Sequence, residues 1–298
     1  MDFDLSPDQR KQLRVLDEVI DACGGIDRAR QIARAGDHDA NLDAKLAASG
    51  LLDSASFLDR VLIAERLAEL GVATTFGLRA VVFANSEVGL PEGPVAVLDA
   101  RRAGPVRYGS LAVAVLVLDG DEARVCEATD VHIEPVPSSF GFGYATVTPG
   151  AGKPLAISAE VTRRRWRLAL SAEVAGTAAA GIAHTSAHLR VREQFGRSLS
   201  TFQALRHRIA DAAVSAEATR WMTREAAWSG DERAALLAAS YAARTAATLA
   251  SELTQICGAR AFTQEFGLHV YTMRLEGFRL ELGAPDRIAV ELAASRAN

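Results

Sequence analysis

The sequence predicts a mainly α-helical protein with a reduced β domain at its centre, and three observations carry that reading. A capped amphipathic segment stands near the start, short β-branched runs occupy only about sixty residues in the middle, and long Ala-, Leu-, Arg- and Glu-rich stretches fill the rest. The predicted organisation is an N-terminal helical domain over 1–90, a shortened β domain over 91–157 and a C-terminal four-helix bundle over 158–298.

Each element has a local cause. Ser6-Pro7-Asp8-Gln9 offers a side-chain cap, a proline at the first helical position and a Gln three residues after the Ser, so a helix should run to about Ala22. Asp53-Ser54 can cap a second helix in which Phe57, Val61, Ala64 and Ala68 recur at helical spacing until Gly71. Pro91-Glu92-Gly93-Pro94 forbids a continuous helix, and Val95–Leu98, Leu111–Leu118, Ala123–Cys126 and Val131–Val136 then read as strands. Asp119-Gly120-Asp121 between two of them signals a hairpin.

From Ser158 three long helical stretches follow, separated by Gly196-Arg197-Ser198 and by Ser229-Gly230-Asp231. In the middle one Phe202, Leu205, Ile209, Ala213 and Ala216 form a stripe, with Arg206, Arg208 and Glu217 elsewhere. The third, Glu232–Ile256, is dense in Ala, and a pair over 267–281 and 286–296 completes the bundle.

The 298 residues are 49% hydrophobic and carry 33 Lys+Arg against 37 Asp+Glu, a net charge of −4. No global positive field exists to hold nucleic acid or an anionic membrane. Cys23, Cys126 and Cys257 lack C-x-x-C spacing and read as buried apolar residues. The start MDFDLSPDQRK has neither the basic nor the apolar region of a signal peptide, and the longest apolar run is too short to span a bilayer, so a cytoplasmic protein is expected.

Several motifs are weighed and set aside. His184 and His188 share a helix face without a third ligand nearby, so packing histidines are expected rather than a metal site. Arg163, Arg164, Arg165 and Arg167 could grip a phosphate or form a solvated face. Phe140-Gly141-Phe142-Gly143 lacks the third glycine of a dinucleotide fingerprint, and neither a Walker A loop nor a G-x-S-x-G elbow occurs.

The informative stretch is Arg192-Glu193-Gln194-Phe195-Gly196-Arg197-Ser198-Leu199-Ser200-Thr201-Phe202-Gln203. It ends one long helix at a glycine corner and opens the next at a Ser/Thr cap, leaving Arg192, Gln194 and Gln203 able to bind a planar, phosphate-bearing ligand; an ordinary interhelical turn is the competing reading. With Gln255-Ile256-Cys257-Gly258-Ala259 and Leu282-Gly283 downstream, the segment over about 158–283 resembles the acyl-CoA dehydrogenase family, whose motifs are RxQFGxxLxxFQ and Q-x-x-G-G.

The resemblance implies the acyl-CoA dehydrogenase fold and FAD shared across a subunit interface. On it, Arg192, Gln194, Phe195, Leu199, Phe202 and Gln203 contact the flavin or diphosphate of a neighbouring subunit, and Gln255 and Gly258 contact its adenosine part. Ala259 stands where the family has a second glycine. The family's Thr-Glu-Pro and Gly-Ser-Asp patterns, which pack flavin and cover the substrate, are not found.

The chemistry implied, α,β-dehydrogenation of an acyl-CoA, needs a carboxylate base to take the α-proton while hydride leaves to flavin. Leu282 and Trp166 occupy the two positions at which the family carries that base; Glu281 and Glu276 are the candidates left by a shifted register.

The chain therefore resembles the degenerate partner in actinobacterial α2β2 heterotetramers acting on steroid side-chain CoA thioesters. A full-length acyl-CoA dehydrogenase subunit would supply the base, an electron-transfer flavoprotein or similar acceptor would take the electrons, and Arg167 could assist CoA binding. A self-sufficient homo-oligomeric enzyme using Glu281 or Glu276, and a non-catalytic helical scaffold without flavin, are the alternatives.

Overall fold

The computed structural model describes residues 4–53, 55–86, 91–102, 104–283 and 285–294. Among the described residues five helices precede the strands: α1 (Pro7–Asp21), α2 (Gly25–Ala35), α3 (Ala40–Ala48), α4 (Phe57–Glu69) and α5 (Phe76–Val82). Helix α1 starts in the capping box expected, with Ser6 Oγ accepting from the Gln9 amide and the Gln9 side chain accepting from the Ser6 amide. The second predicted helix is α4, but its cap is corrected from Asp53-Ser54 to Ser56, which forms a reciprocal box with Asp59; Ser54 lies outside the described residues.

Among the described residues nine strands follow in chain order, seven of them in the central region: β1 (Val95–Asp99), β2 (Val106–Arg107), β3 (Ala114–Asp119), β4 (Glu122–Glu127), β5 (His132–Val136), β6 (Tyr144–Thr148) and β7 (Lys153–Pro154). They form a four-stranded sheet of order β1-β3-β4-β7, with β1 parallel to β3, and a three-stranded sheet of order β2-β6-β5. Strands β3 and β4 form the expected hairpin, Asp119 pairing with Glu122 around Gly120 at φ +53.

One face of the larger sheet, with Ala96, Val115, Val117 and Cys126, packs on Val106, Ala145 and Val147 of the smaller. The other face, with Val95, Val97, Leu116 and Leu118, joins the helical core around Trp166 and Leu170. Burial on both faces explains why this strand reads as a continuous apolar run without alternation. The run begins as strand at Ala114, not at Leu111.

Helix α6 (Ala159–Val191) is capped by Ser158, as its start in sequence implies, and two antiparallel partners follow, α7 (Gln203–Ser229) and α8 (Glu232–Cys257). Gly230 closes α7 in the left-handed conformation and Asp231 caps α8, accepting from the Ala234 amide at 2.6 Å. Ala235, Ala239, Ala242, Ala243 and Ala246 are fully buried, which lets α8 approach its neighbours closely. Helices α9 (His269–Leu282) and α10 (Pro285–Ala294) complete the bundle.

Cys23, Cys126 and Cys257 are buried free thiols, as read from the sequence. No helix among the described residues is long and apolar enough to cross a membrane. His184 and His188 pack their rings against Phe266, with centroids 4.7 Å away in both cases.

Three of the four clustered arginines are engaged within the fold and form neither a phosphate grip nor a solvated face. Arg163 is buried and bonded to Asp99 at 2.9 Å and Glu160 at 2.7 Å; Arg165 donates to the carbonyls of Val82 and Ala84. Arg167, buried, is paired with Glu291 of α10.

Candidate functional site

The corner between α6 and α7 is a built structure. Two short strands, β8 (Glu193–Gln194) and β9 (Arg197–Ser198), pair antiparallel with Phe195 and Gly196 at the turn, at φ +56 and +77. A left-handed phenylalanine is costly and persists only where its surroundings impose it.

The surroundings do so through hydrogen bonds: Ser198 Oγ donates to the Leu189 and Arg190 carbonyls at the end of α6, and the Leu199 amide donates to the Arg192 carbonyl at 2.8 Å. The predicted Ser/Thr cap is corrected here. Ser198 caps a single turn of 3-10 helix over Leu199–Thr201, and α7 itself starts at Gln203 behind Phe202, which provides no side-chain cap.

The corner presents its side chains outward. Phe195 is 89% exposed, and its ring meets that of Phe202 edge-on, with centroids 6.0 Å apart. The Arg197 guanidinium stacks 4.1 Å from the Phe202 centroid, holding it in place. Arg192, Gln194 and Gln203 are exposed, Leu199 and Phe202 half-buried. The corner is not filled by its own side chains.

Gln255 and Gly258 reach the same end of the bundle, because α8 runs back antiparallel to α7. Arg208, in the second turn of α7, and Glu252, one turn before Gln255, are ion-paired at 2.6 Å across the two helices. Gly258 adopts φ +61, ψ −148, a region closed to residues with a Cβ, and both it and Gln255 are exposed. A Cβ on Gly196 or Gly258 would meet nothing within 4 Å, so both backbones face open space. The structure thus brings the eight residues expected at a cofactor to one end of the bundle, six of them exposed and Leu199 and Phe202 half-buried.

The candidate bases lie elsewhere and apart. Glu276 is half-buried and paired with Arg279 one turn on. Glu281, Trp166 and Gly277 line a cavity of about 660 Å3 between the two sheets and the bundle. Leu282, which the resemblance puts at the position of the family's base, is fully buried.

Glu281 is one of two carboxylates on a single buried guanidinium. Arg107 of β2 donates Nε to Glu281 at 2.6 Å and its two terminal nitrogens to Glu173 of α6 at 3.1 and 2.7 Å. The rings of Phe142 and Phe278 lie 4.9 Å from its guanidinium carbon. Burial alone would lower the Arg107 pKa, but Glu173 and Glu281 outweigh it and raise it. Burial pushes the Glu281 carboxyl up, with the Glu173 charge adding to it and Arg107 only partly opposing.

Sequence reasoning missed Arg107 and Glu173. The one available signal is that Glu173 is the sole charge in the run Leu168–Ala183, where a lone acid needs a partner.

Comparison with known proteins agrees with this architecture. Residues 157–296 match the model of the acyl-CoA dehydrogenase C-terminal domain. The acyl-CoA dehydrogenase IpdE2 of Mycolicibacterium smegmatis is 29% identical over 177 residues, 59% of this chain and 56% of that protein, so the match spans little more than half of the relative's length.

Among solved structures, the ChsE4-ChsE5 complex from Mycobacterium tuberculosis superposes with a TM-score of 0.84 at 20% identity, over 100% of this chain and 99% of that one. The Tcur3481-Tcur3483 steroid ACAD G363A variant superposes at 0.82 and 21% identity, over 97% and 98%. At such identities these likenesses concern the fold, which extends over the whole chain. The bundle over residues 157–296 is thus similar to the C-terminal domain of acyl-CoA dehydrogenases, and the whole chain shares the fold of these solved structures.

Proposed function

We propose that this chain is one subunit of a heteromeric FAD-dependent acyl-CoA dehydrogenase, and that its bundle completes a flavin site built mainly by a full-length partner subunit. The observation that carries this reading is Phe195, 89% exposed on a hairpin whose backbone is fixed by hydrogen bonds. An uncovered aromatic on a rigid strained turn fits a group brought by another molecule.

In such a site Arg192 would neutralise diphosphate charge. Gln194 and Gln203 would offer amide groups, Phe195, Leu199 and Phe202 the apolar walls, and Gln255 and Gly258 would take the adenosine part. Flavin, when bound, supplies the hydride acceptor for dehydrogenation at the α,β bond of the acyl-CoA. The partner supplies the base, because Leu282 and Trp166 cannot accept a proton. A steroid side-chain CoA is the substrate class suggested by the steroid enzyme among the structural neighbours, and α2β2 is the assembly proposed. Arg167 faces Glu291 in an ion pair, so its role toward CoA is reduced to a remote electrostatic one.

Co-expression with a full-length homologue should yield a yellow complex active on acyl-CoA with an electron-transfer flavoprotein or dye acceptor. Phe195→Asp should weaken flavin retention by about 30-fold or more, the effect of losing one central aromatic anchor. A colourless wild-type complex, or full flavin retention in Phe195→Asp, would overturn the proposal.

A second reading rests on Glu281, whose carboxyl borders the cavity and is pushed up by burial as a general base requires. It demands stoichiometric flavin and dye reduction by the purified chain alone, abolished in Glu281→Gln. The 2.6 Å bond to Arg107 weighs against it, since the guanidinium draws on the electron density a base needs.

A further inference from the structure

We propose, on the flavin reading above, that Arg197 is a second diphosphate-binding arginine of the corner, standing with Arg192 on one face of the hairpin. The motif read from the sequence leaves this residue without a role.

Strand register places it there. Phe195 and Gly196, both at positive φ, form a two-residue turn of the kind that joins twisted antiparallel strands. Gln194 then stands opposite Arg197 and Glu193 opposite Ser198, and the bond from the Leu199 amide to the Arg192 carbonyl continues the pairing by one residue. Side chains alternate between the two faces of such a ribbon, so Arg192, Gln194 and Arg197 share one face while Glu193 and Ser198 take the other. The Ser198 hydroxyl donates to the Leu189 and Arg190 carbonyls, so its face turns to α6 and the arginine face turns away. Arg192 and Arg197 are diagonal neighbours on that face, roughly 7–8 Å apart and within common reach of long side chains.

The Arg197 side chain is held without being neutralised. Its guanidinium carbon lies 4.1 Å from the Phe202 centroid, the shortest arginine–ring distance among the described residues. The ion pair at this end of the bundle joins Arg208 to Glu252, and among the described residues no carboxylate stands within ion-pairing distance of Arg197. Stacking covers one face of the guanidinium and leaves the N–H edge of an exposed residue open.

A planar cation fixed on an aromatic ring and lacking an acid suits phosphate oxygens, which accept parallel N–H bonds. Its surroundings agree, since Gln194 opposite and Phe202 beneath it are both among the residues assigned to the cofactor. Together, Arg192 and Arg197 would set two positive charges against the two negative charges of a diphosphate, where Arg192 alone leaves one uncompensated.

The test uses the complex with the full-length partner and follows retained flavin by its absorbance as potassium chloride is raised. Retention by the parent should weaken with salt, as an exposed ionic contact requires. Arg197→Met keeps an apolar stem against Phe202 but no charge. It should weaken retention about tenfold at low salt and flatten the salt dependence, with the chain's melting temperature unchanged. Arg197→Lys restores the charge without the planar fork and should recover part of the loss.

Parental retention and salt dependence in Arg197→Met would overturn the assignment and leave the flavin reading intact. Weaker retention with an unaltered salt dependence would also overturn it, being the mark of a lost prop for Phe202. So would weaker subunit assembly with flavin kept in the complexes that form, because Arg197 would then meet a carboxylate of the partner. A colourless parent complex would instead remove the flavin reading and this assignment with it.

Discussion

Arg107→Met is expected to lower the unfolding free energy by about 3–5 kcal/mol, because it strands two buried carboxylates rather than one. Glu173 would lose both bonds that the guanidinium donates to it and Glu281 its 2.6 Å contact, inside a wall of Phe142, Phe278 and Tyr108. The apolar methionine restores volume but no charge. A melting transition lower by roughly 5–8 degrees follows from that loss in a chain of this size. A loss below about 1 kcal/mol would show that the cluster is relaxed by water, contrary to its burial.

The pH dependence has a definite sign. Glu281 in the fold titrates above its ordinary value of 4.5, so the folded state holds this proton more tightly than the unfolded chain does. The stabilisation it contributes is full below 4.5 and is lost as pH rises through the folded value. Without Arg107 the upward displacement grows, and the deficit of Arg107→Met should shrink when measured at pH 5 instead of pH 8. Glu281→Gln in the native background keeps an acceptor for Arg107 Nε and removes the shared charge. Its stability at pH 8 should stay within about 1 kcal/mol of the parent, read by urea unfolding at both pH values.

Whether an element was legible in the sequence depended on whether its cause was local. Ser6 to Gln9, Gly120 and Gly230-Asp231 act within three or four residues, and each stands where the sequence put it. Helix α5 escaped notice because all seven of its residues are buried, so no polar face marks a helical period. Helices α2 and α3 are short and were absorbed into one undivided N-terminal segment. The cap of α4 moved by two residues because Asp53, Ser54 and Ser56 all suit a cap, and only the reciprocal bond with Asp59 decides among them.

The site divides in the same way. The QFG corner is contiguous, so its residues could be named from the chain alone, and the bundle brings Gln255 and Gly258 to the same end by simple antiparallel return. Arg107 meets Glu173 and Glu281 across sequence separations of 66 and 174 residues, and no spacing rule connects them.

Gly176→Ala is expected to destabilise the fold by roughly 2 kcal/mol or more, although intrinsic propensity favours Ala over Gly within a helix by about 1 kcal/mol. A Cβ at Gly176 of α6 would stand 2.1 Å from the Glu65 carbonyl oxygen and 2.7 Å from the Glu69 amide nitrogen, both backbone atoms of α4. Neither can turn aside, so the two helices must separate. Glu65 resists that movement: its buried carboxylate accepts from Arg220 at 2.7 Å and from Arg224 at 2.8 and 3.0 Å, tying α4 to α7. Separation would therefore loosen a three-helix junction rather than one contact.

Gly181→Ala on the same helix is the control. Its added methyl would meet the tip of the Leu253 side chain at 2.9 Å, which can rotate away. That substitution should leave stability within about 1 kcal/mol of the parent, because propensity and crowding nearly offset each other. If chemical unfolding ranks the two variants equally, the close approach of α4 to α6 at Gly176 is not what holds the N-terminal helices on the bundle.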